Sequence, residues 1–153
     1  MAKYVEKDEV IAIDSSADAL KIAEKNAQTH QVADKCQFFE GNLLSHLSSP
    51  VDMIVANLPY IPTATIESLQ PEVKDWEPRA ALDGGPDGLT YVRQVIEQAP
   101  GHLNPHGYLL MEIGFDQGER VCAIAEATGQ YQKIKIINDL AQQDRILIAE
   151  KKS

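Results

Sequence analysis

Short apolar runs that alternate with amphipathic helical patterns constrain the fold of this chain more than any other feature. Buried strands are predicted at residues 9–14, 35–40, 51–56 and 107–113, and helices at residues 15–28, 89–99 and 117–128. Such alternation is typical of a parallel sheet with crossover helices. Two further strands are predicted at residues 131–137 and 145–150, and the connection between them is too short for a crossover helix. The sequence therefore predicts an open α/β sheet that ends in an antiparallel hairpin.

The length of 153 residues limits the number of domains that the chain can form, and the formal net charge of −9 limits the kinds of partner that it can bind. We expect one domain over residues 1–153. Because an acidic chain repels the phosphate backbone, we expect no direct contact with nucleic acid. No apolar run approaches the roughly 20 residues that span a bilayer, and residues 1–8 lack the apolar centre of a signal peptide, which predicts cytoplasmic residence without membrane contact. Cys36 and Cys122 are predicted to be buried structural thiols, and no metal site is expected, since the histidines lack metal-ligand spacing.

Three strand ends carry polar or special residues, and ligands of open α/β sheets bind at the carboxyl ends of strands. The first is Asp14-Ser15, where the Asp14 carboxylate is able to accept hydrogen bonds from both hydroxyls of a ribose. A helix cap or turn explains this position alone equally well. The second is Gly41-Asn42, where the Asn42 amide suits an adenine edge and Leu43 suits the adenine ring. Taken by itself, this pair is only a turn.

The third strand end, Asn57-Leu58-Pro59-Tyr60, is the strongest local signal. An amide nitrogen is a poor nucleophile because its lone pair is delocalised into the carbonyl. The Asn57 side-chain oxygen and the Leu58 backbone carbonyl are placed to accept its two hydrogens, which orients the nitrogen and stabilises growing positive charge. Pro59 stiffens the turn, and the Tyr60 ring gives a flat group a surface to lie against. The alternative is an ordinary Asn-x-Pro turn.

Residues 62–88 form a long segment rich in Pro, Gly, Asp and Glu, with a short helix predicted near 66–69. Long irregular segments inside compact domains are usually functional. Glu77-Pro78-Arg79 and the glycine-rich run at 83–88 are predicted to form a substrate wall or lid. A simple surface loop with turn residues is equally compatible with this composition. A break is predicted after the following helix, at Pro100-Gly101.

With these residues in view, the chain resembles the HemK-type protein-(glutamine-N5) methyltransferases over essentially its whole length. The resemblance lies in VIAIDSSADALKIAEKNA at 10–27, DMIVANLPYIP at 52–62, EPRAALDGGPDGL at 77–89 and HGYLLMEIG at 106–114. It implies a Rossmann-like sheet that binds S-adenosylmethionine and an enzyme that methylates the glutamine of a Gly-Gly-Gln motif in peptide chain release factors. The implied cofactor-binding residues are Asp14, Ser15, Asn42, Leu43 and Asn57. The implied substrate-binding residues are Asn57, Pro59, Tyr60, Glu77, Pro78 and Arg79, and the implied catalytic residues are Asn57, Leu58, Pro59 and Tyr60.

The chain departs from the family's pattern in two places. Leu58 stands where the family usually has proline, and Asn-Leu-Pro-Tyr also occurs in methyltransferases that act on adenine in RNA, which is the alternative enzyme. The family's first strand and glycine-rich loop, which precede the strand ending at Asp14, are not found, nor is its helical recognition domain. We therefore expect a chain truncated at its N-terminus. An inactive fragment or binding module is the non-enzymatic alternative, and pairing with a second copy through exposed strand edges is a further expectation.

Overall fold

The computed structural model describes Ala2 and residues 9–153, which fall into two compact units, one ending at Ser48 and one spanning Ser49–Ser153. The first unit contains β1 (Val10–Asp14), α1 (Ala17–Thr29), a 3-10 turn (Ala33–Lys35) and β2 (Cys36–Glu40). The second contains β3 (Val51–Asn57), a 3-10 helix (Thr63–Ser68), α2 (Pro71–Lys74), α3 (Arg79–Leu82), α4 (Thr90–His102), β4 (Leu103–Glu112), α5 (Gly118–Ala127), β5 (Tyr131–Asn138) and β6 (Asp144–Lys151).

The first unit is a βαβ element, as the apolar alternation predicts, but no residue of β1 or β2 is buried, so the predicted burial of these two strands was wrong. β1 and β2 pair in parallel, with Asp14 opposite Glu40 at their carboxyl ends. Ser16 caps α1, because its side-chain oxygen accepts a hydrogen bond from the Ala19 amide at 3.2 Å. Two apolar residues of α1, Leu20 and Ala27, are buried.

The second unit is a four-stranded mixed sheet with the strand order β3-β4-β6-β5. β3 and β4 are parallel, whereas β6 is antiparallel to both β4 and β5. The predicted C-terminal antiparallel hairpin is therefore confirmed. Helices α4 and α5 pack against this sheet and against each other. The largest fully buried side chains, at 0–1% exposure, are Leu89, Val92, Val95, Ile96, Leu103, Leu109, Met111, Ile113, Val121 and Leu147.

The predicted open sheet is divided into two sheets in the described residues, β1-β2 and β3-β4-β6-β5. No described strand pairs with both β1 and β3. The single domain expected for residues 1–153 and the pairing of strand edges with a second copy stay predictions. Within the described part of the chain, no helix is long and apolar enough to cross a membrane. Cys36 and Cys122 are free but only partly buried, so full burial of these thiols was wrong.

The segment after β3 is more regular than predicted. A 3-10 helix occupies Thr63–Ser68, and α2 and α3 each span only four residues. One helical turn is too short for an apolar periodicity to emerge, so the sequence pattern missed α2 and α3.

Helix α4 continues through the break that the sequence predicted at Pro100-Gly101 and ends at His102. A proline inside a helix lacks the N–H that would bond to the carbonyl four residues earlier, here that of Ile96. In the structure the hydroxyl of Tyr131 donates to the Ile96 carbonyl at 2.8 Å. The side chain of a distant strand thus replaces the missing donor, and the prediction of a break was wrong for this reason.

Replacing Gly101 by alanine is expected to stabilise the protein by about 0.5 kcal/mol, because alanine loses less backbone entropy in a helix. A Cβ atom built at Gly101 meets nothing within 4 Å. Gly129→Ala is the matched control, since the space around Gly129 is equally open but its φ is +66°. Urea denaturation of both variants is expected to give shifts of opposite sign. Destabilisation by Gly101→Ala would contradict the continuous helix.

A buried carboxylate near the end of β6 bonds to the neighbouring strands of the mixed sheet. Glu150 on β6 is 2% exposed and accepts hydrogen bonds from Lys133, Tyr108 and Gln132, each at 2.8 Å, and pairs with His106 at 3.1 Å. Hydrogen bonds from Lys133, Tyr108 and His106 lower the pKa of this carboxyl to about 2. The four partners lie on β4 and β5, so Glu150 connects three strands.

A pH dependence of stability follows from the lowered pKa of Glu150. The charged form is favoured in the folded state, so its contribution is present above the ordinary pKa of 4.5 and is lost as the pH falls towards about 2. Glu150→Gln, which keeps the shape and removes the charge, is expected to be less stable than wild type at pH 7. The difference is expected to shrink at pH 3. Urea denaturation at both values measures it, and a difference that is constant with pH would contradict the assignment.

Candidate functional site

In the first unit, Asp14 and Asn42 lie at the same end of the β1-β2 sheet. The Gly41 amide donates to the Asp14 carbonyl at 3.0 Å, which fixes the end of one strand to the other. Asp14 Oδ1 accepts the amide of Ser16 at 2.8 Å, so the carboxylate also forms the turn into α1. Ser15 lies in this turn and is exposed. Among the described residues, Asp14 Oδ2 accepts no hydrogen bond.

The turn after β2 holds Asn42 and Leu43. The Asn42 amide donates to Ser45 Oγ at 3.1 Å, and the Ser45 amide donates back to the Asn42 carbonyl at 3.1 Å. Leu43 has a φ of +49°, the left-handed conformation that non-glycine residues seldom adopt. The Asn42 side chain is exposed, and no described residue hydrogen-bonds to its carboxamide. The predicted pair thus lies in a tightly bonded turn, in which no described residue binds the side-chain carboxamide of Asn42.

In the second unit, Asn57 is the last residue of β3 and is exposed. Ile54, three positions earlier, is 6% exposed, and side chains three apart on a strand point to opposite faces. The Asn57 side chain therefore does not point into the core. Among the described residues, neither its carboxamide nor the Leu58 carbonyl has a hydrogen-bond partner. Both acceptors named from the sequence are free.

The Tyr60 ring is held from its hydroxyl end. The hydroxyl donates to Glu112 Oε1 at 3.1 Å. Partial burial raises the pKa of Tyr60, and the Glu112 charge and hydrogen bond raise it further, against an opposing effect of Arg145. Glu112 is the register partner of Asn57 on the neighbouring strand β4. Sequence reasoning did not select Glu112, although it lies in the motif at 106–114.

The glycines of the 83–88 run lie directly against the Asn57–Tyr60 loop. A Cβ atom on Gly84 would lie 2.8 Å from the Pro59 carbonyl oxygen, and one on Gly88 would collide with the Tyr60 carbonyl oxygen. Gly88 also has a φ of +74°. Only glycine permits this approach of one backbone to another. The structure thus brings together two segments that the sequence predicted separately.

A buried glutamine ties these segments to the end of β4. Gln117 is 3% exposed, and its Nε2 donates to the Tyr60 carbonyl at 2.9 Å and to the Gly88 carbonyl at 3.4 Å. Its Oε1 accepts the Gly114 amide at 2.9 Å. Sequence reasoning treated Gln117 only as the start of a helix. Nothing in its local pattern signals partners 29 and 57 positions away.

Two aspartates within the glycine-rich run bind side chains that lie outside it. Asp87 Oδ2 accepts from Arg93 at 2.9 Å and from Arg120 at 2.8 Å, and the hydrogen bond from Arg93 is the main reason that the pKa of Asp87 is lowered. Asp83 Oδ1 accepts the Thr63 hydroxyl at 2.6 Å, which is the main reason that the pKa of Asp83 is lowered. Both carboxylates remain charged at neutral pH and fix the run.

Among the described residues, no hydrogen bond or ion pair joins Glu77, Pro78 or Arg79 to the Asn57–Tyr60 loop. Arg79 pairs with Glu67 at 2.9 Å and with Asp83 at 3.6 Å. Glu77, Pro78 and Arg79 are all exposed. An open cleft of about 490 Å³ beside Arg79 is lined by Thr63, Arg79, Ala80, Asp83, Gly85, Thr90 and Tyr91. The predicted substrate wall stays a prediction. In the described part of the chain, no three His, Cys, Asp or Glu side chains are grouped to hold a metal ion.

Sequence comparison identifies relatives over most of the chain. The family described as "Methyltransferase small domain" matches residues 1–69. The release factor glutamine methyltransferase of Thermosynechococcus vestitus is 43% identical over 142 residues, which are 91% of this chain and 49% of that protein. The release factor glutamine methyltransferase of Synechocystis sp. is 46% identical over 92% of this chain and 48% of its own length. The chain therefore spans about half the length of these curated relatives.

Solved structures share the fold at low sequence identity. A methyltransferase from Pyrococcus furiosus superposes with a TM-score of 0.68 and 16% identity, covering 95% of this chain and 64% of that one. A ribosomal protein L11 methylase from Lactobacillus delbrueckii subsp. bulgaricus superposes with a TM-score of 0.63 and 19% identity, covering 95% of this chain and 58% of that one. The Rossmann-like methyltransferase fold expected from the sequence is confirmed. So is the resemblance stated from its motifs: the chain is a homologue of release factor glutamine methyltransferases and spans about half their length.

Proposed function

We propose that this chain is the methyl-transferring part of an S-adenosylmethionine-dependent enzyme that methylates a glutamine side-chain amide in peptide chain release factors. The names of its homologues support the substrate. One observation carries the proposal: two free acceptors, the Asn57 carboxamide and the Leu58 carbonyl, stand at the end of β3. The backbone behind them is fixed by Gln117 and by the glycine-rich run. Residence in the cytoplasm is part of the same proposal.

The strand ends of the first unit carry hydrogen-bonding groups that suit the cofactor. Asp14 Oδ2 and the Asn42 carboxamide have no partners among the described residues and suit a ribose hydroxyl and an adenine edge. The adjacent Ser15 and Leu43 complete the proposed cofactor contacts. When bound, S-adenosylmethionine supplies a methyl group on a positively charged sulfur, which makes that carbon electrophilic.

The residues of the second unit would bind the glutamine side-chain amide that receives the methyl group. Asn57 Oδ1 and the Leu58 carbonyl oxygen each accept one amide hydrogen, which fixes the direction of the nitrogen lone pair. Both oxygens carry partial negative charge, so they stabilise positive charge as it grows on that nitrogen. Pro59 restricts the turn, and Tyr60 offers its ring to the flat amide. No strong base is needed, because the nitrogen becomes acidic once it is alkylated.

We assign Glu77, Pro78 and Arg79 a role in contacting the polypeptide around the acceptor glutamine. The cleft beside Arg79 supports this role, since it is open and lies on the run that contacts the Asn57–Tyr60 loop. The Arg79 side chain is 56% exposed and is the only cation lining that cleft among the described residues.

Label transfer tests the proposed function. The purified chain is incubated with methyl-tritiated S-adenosylmethionine and, in separate reactions, a release factor, a peptide containing Gly-Gly-Gln, the same peptide with asparagine for glutamine, and bulk RNA. Label is expected in the release factor and the glutamine peptide only. Label in RNA but not in protein would favour the adenine-methylating alternative. Absence of label from all four would contradict the proposal for this chain.

A further inference from the structure

Glu112 is brought to the acceptor loop by the sheet rather than by the sequence. β3 and β4 run parallel, and Asn57 and Glu112 are register partners at their carboxyl ends. Register partners on adjacent strands project to the same face. The chain neighbours of Glu112, Met111 on β4 and Ile113 directly after β4, are 1% and 0% exposed, so Glu112 lies on the opposite, less buried face. The Asn57 and Glu112 side chains therefore leave the sheet side by side.

The Glu112 carboxylate contacts the loop through Tyr60. Its Oε1 accepts the Tyr60 hydroxyl at 3.1 Å, and both side chains are partly buried. The Arg145 guanidinium lies close enough to act electrostatically on both groups. Arg145 is itself held by Asp139 Oδ2 at 3.0 Å. The ring of Tyr60 is thus fixed at its hydroxyl end by a charge network and at its backbone by Gln117.

We propose that Glu112 is a positioning residue for the acceptor amide, acting through the Tyr60 hydroxyl to hold the plane of the ring beside Asn57. The inference rests on the proposed function. A hydrogen bond to its hydroxyl further restricts the rotation and tilt of a phenol ring about its two side-chain torsions. A fixed ring holds a flat amide in one orientation, and small errors in the approach of a reacting atom cost large factors in rate.

The Arg145 charge also acts on the Glu112 carboxylate. Arg145 offsets the carboxylate, so Glu112 is able to accept from Tyr60 without standing alone in a partly buried position. Asp139 in turn receives the Ala141 and Gln143 amides at 2.8 and 3.1 Å, which ties Arg145 to the β5-β6 turn. The hairpin at the end of the sheet thereby supports the acceptor loop.

A double-mutant cycle tests the inference by kinetics. Glu112→Ala and Tyr60→Phe are each expected to lower kcat for the glutamine peptide about tenfold, with the KM for cofactor unchanged. The double variant is expected to equal either single one, because both remove the same hydrogen bond. Glu112→Gln keeps an acceptor for the hydroxyl and is expected to stay within about threefold of wild type. Additive losses, or full activity of Tyr60→Phe beside an impaired Glu112→Ala, would overturn the inference.

A titration that needs no activity separates this inference from the proposed function. Tyrosine ionisation is followed by NMR of ring-labelled protein, with Tyr60→Phe identifying the signal. Because Glu112 raises the pKa of Tyr60, Glu112→Ala is expected to move the midpoint down towards the ordinary value of 10.0. An unmoved midpoint would overturn the link between the two residues even if methyl transfer is normal. A moved midpoint in a chain that transfers no methyl would leave the contact established and contradict the proposed function.

Discussion

Replacing Asn57 by alanine is expected to slow methyl transfer to a glutamine peptide by about 100-fold, the usual cost of removing one oriented group that stabilises transition-state charge. The substitution deletes one of two acceptors for the amide hydrogens and leaves the Leu58 carbonyl. Because the Asn57 side chain is exposed and has no partner among the described residues, folding is expected to be unaffected. Initial rates at saturating cofactor measure the loss.

Cofactor binding distinguishes this role from a general defect. Calorimetry with S-adenosylhomocysteine is expected to show a much smaller loss of affinity than of rate in Asn57→Ala. Asn104→Ala is the matched control: Asn104 is also an asparagine of the second unit, and its amide donates only to Asp52, at 2.8 Å. That variant is expected to retain full activity. Equal losses of rate and cofactor affinity in Asn57→Ala would mean that the role of Asn57 is misassigned.

Gln117→Ala is expected to lower the free energy of unfolding by about 3 kcal/mol, since each buried polar group left without a partner costs about 1–3 kcal/mol. The variant leaves the Tyr60 carbonyl, the Gly88 carbonyl and the Gly114 amide without the side chain that joins them. A cavity adds to the cost. Urea denaturation monitored by circular dichroism measures the change.

Two comparisons separate hydrogen bonding from packing at this position. Gln117→Met fills most of the volume without polar groups and is expected to recover less than half of the lost stability. Gln98→Ala, on the exposed side of α4, is expected to change stability by less than about 0.5 kcal/mol. A Gln117→Met variant as stable as wild type would show that the three hydrogen bonds contribute little.

The strands and the strand-end residues were predictable because their signals are local. The apolar runs at 9–14 and 51–56 are strands, and their ends follow from the polar residue or proline that comes next. Their predicted burial was wrong, since no residue of β1 is buried and Ile54 alone is buried in β3. Asp14, Asn42 and Asn57 were found in this way, and the structure places them at strand ends. Their chemistry is a property of the side chains, so it was open to inference before any coordinates.

Errors arose where a distant residue overrides a local rule. Pro100 ends a helix by local criteria, yet α4 continues. The reason is that the Tyr131 hydroxyl donates to the carbonyl of Ile96, from which it is 35 positions away in the sequence. Cysteine burial was overestimated for a related reason: apolar neighbours in sequence do not decide how closely other elements cover a thiol.

The sequence by itself determined the order of strands and helices along the chain and the antiparallel end of the sheet, and it named Asn57 and Leu58 as the candidate acceptor pair. These depend on side chains a few positions apart, whose spacing is fixed by the backbone period. Only the tertiary structure decided that Glu112 holds the Tyr60 ring and that Gln117 ties the loop to Gly88 and Gly114. Such contacts join residues up to 57 positions apart, and their geometry exists only once the chain has folded.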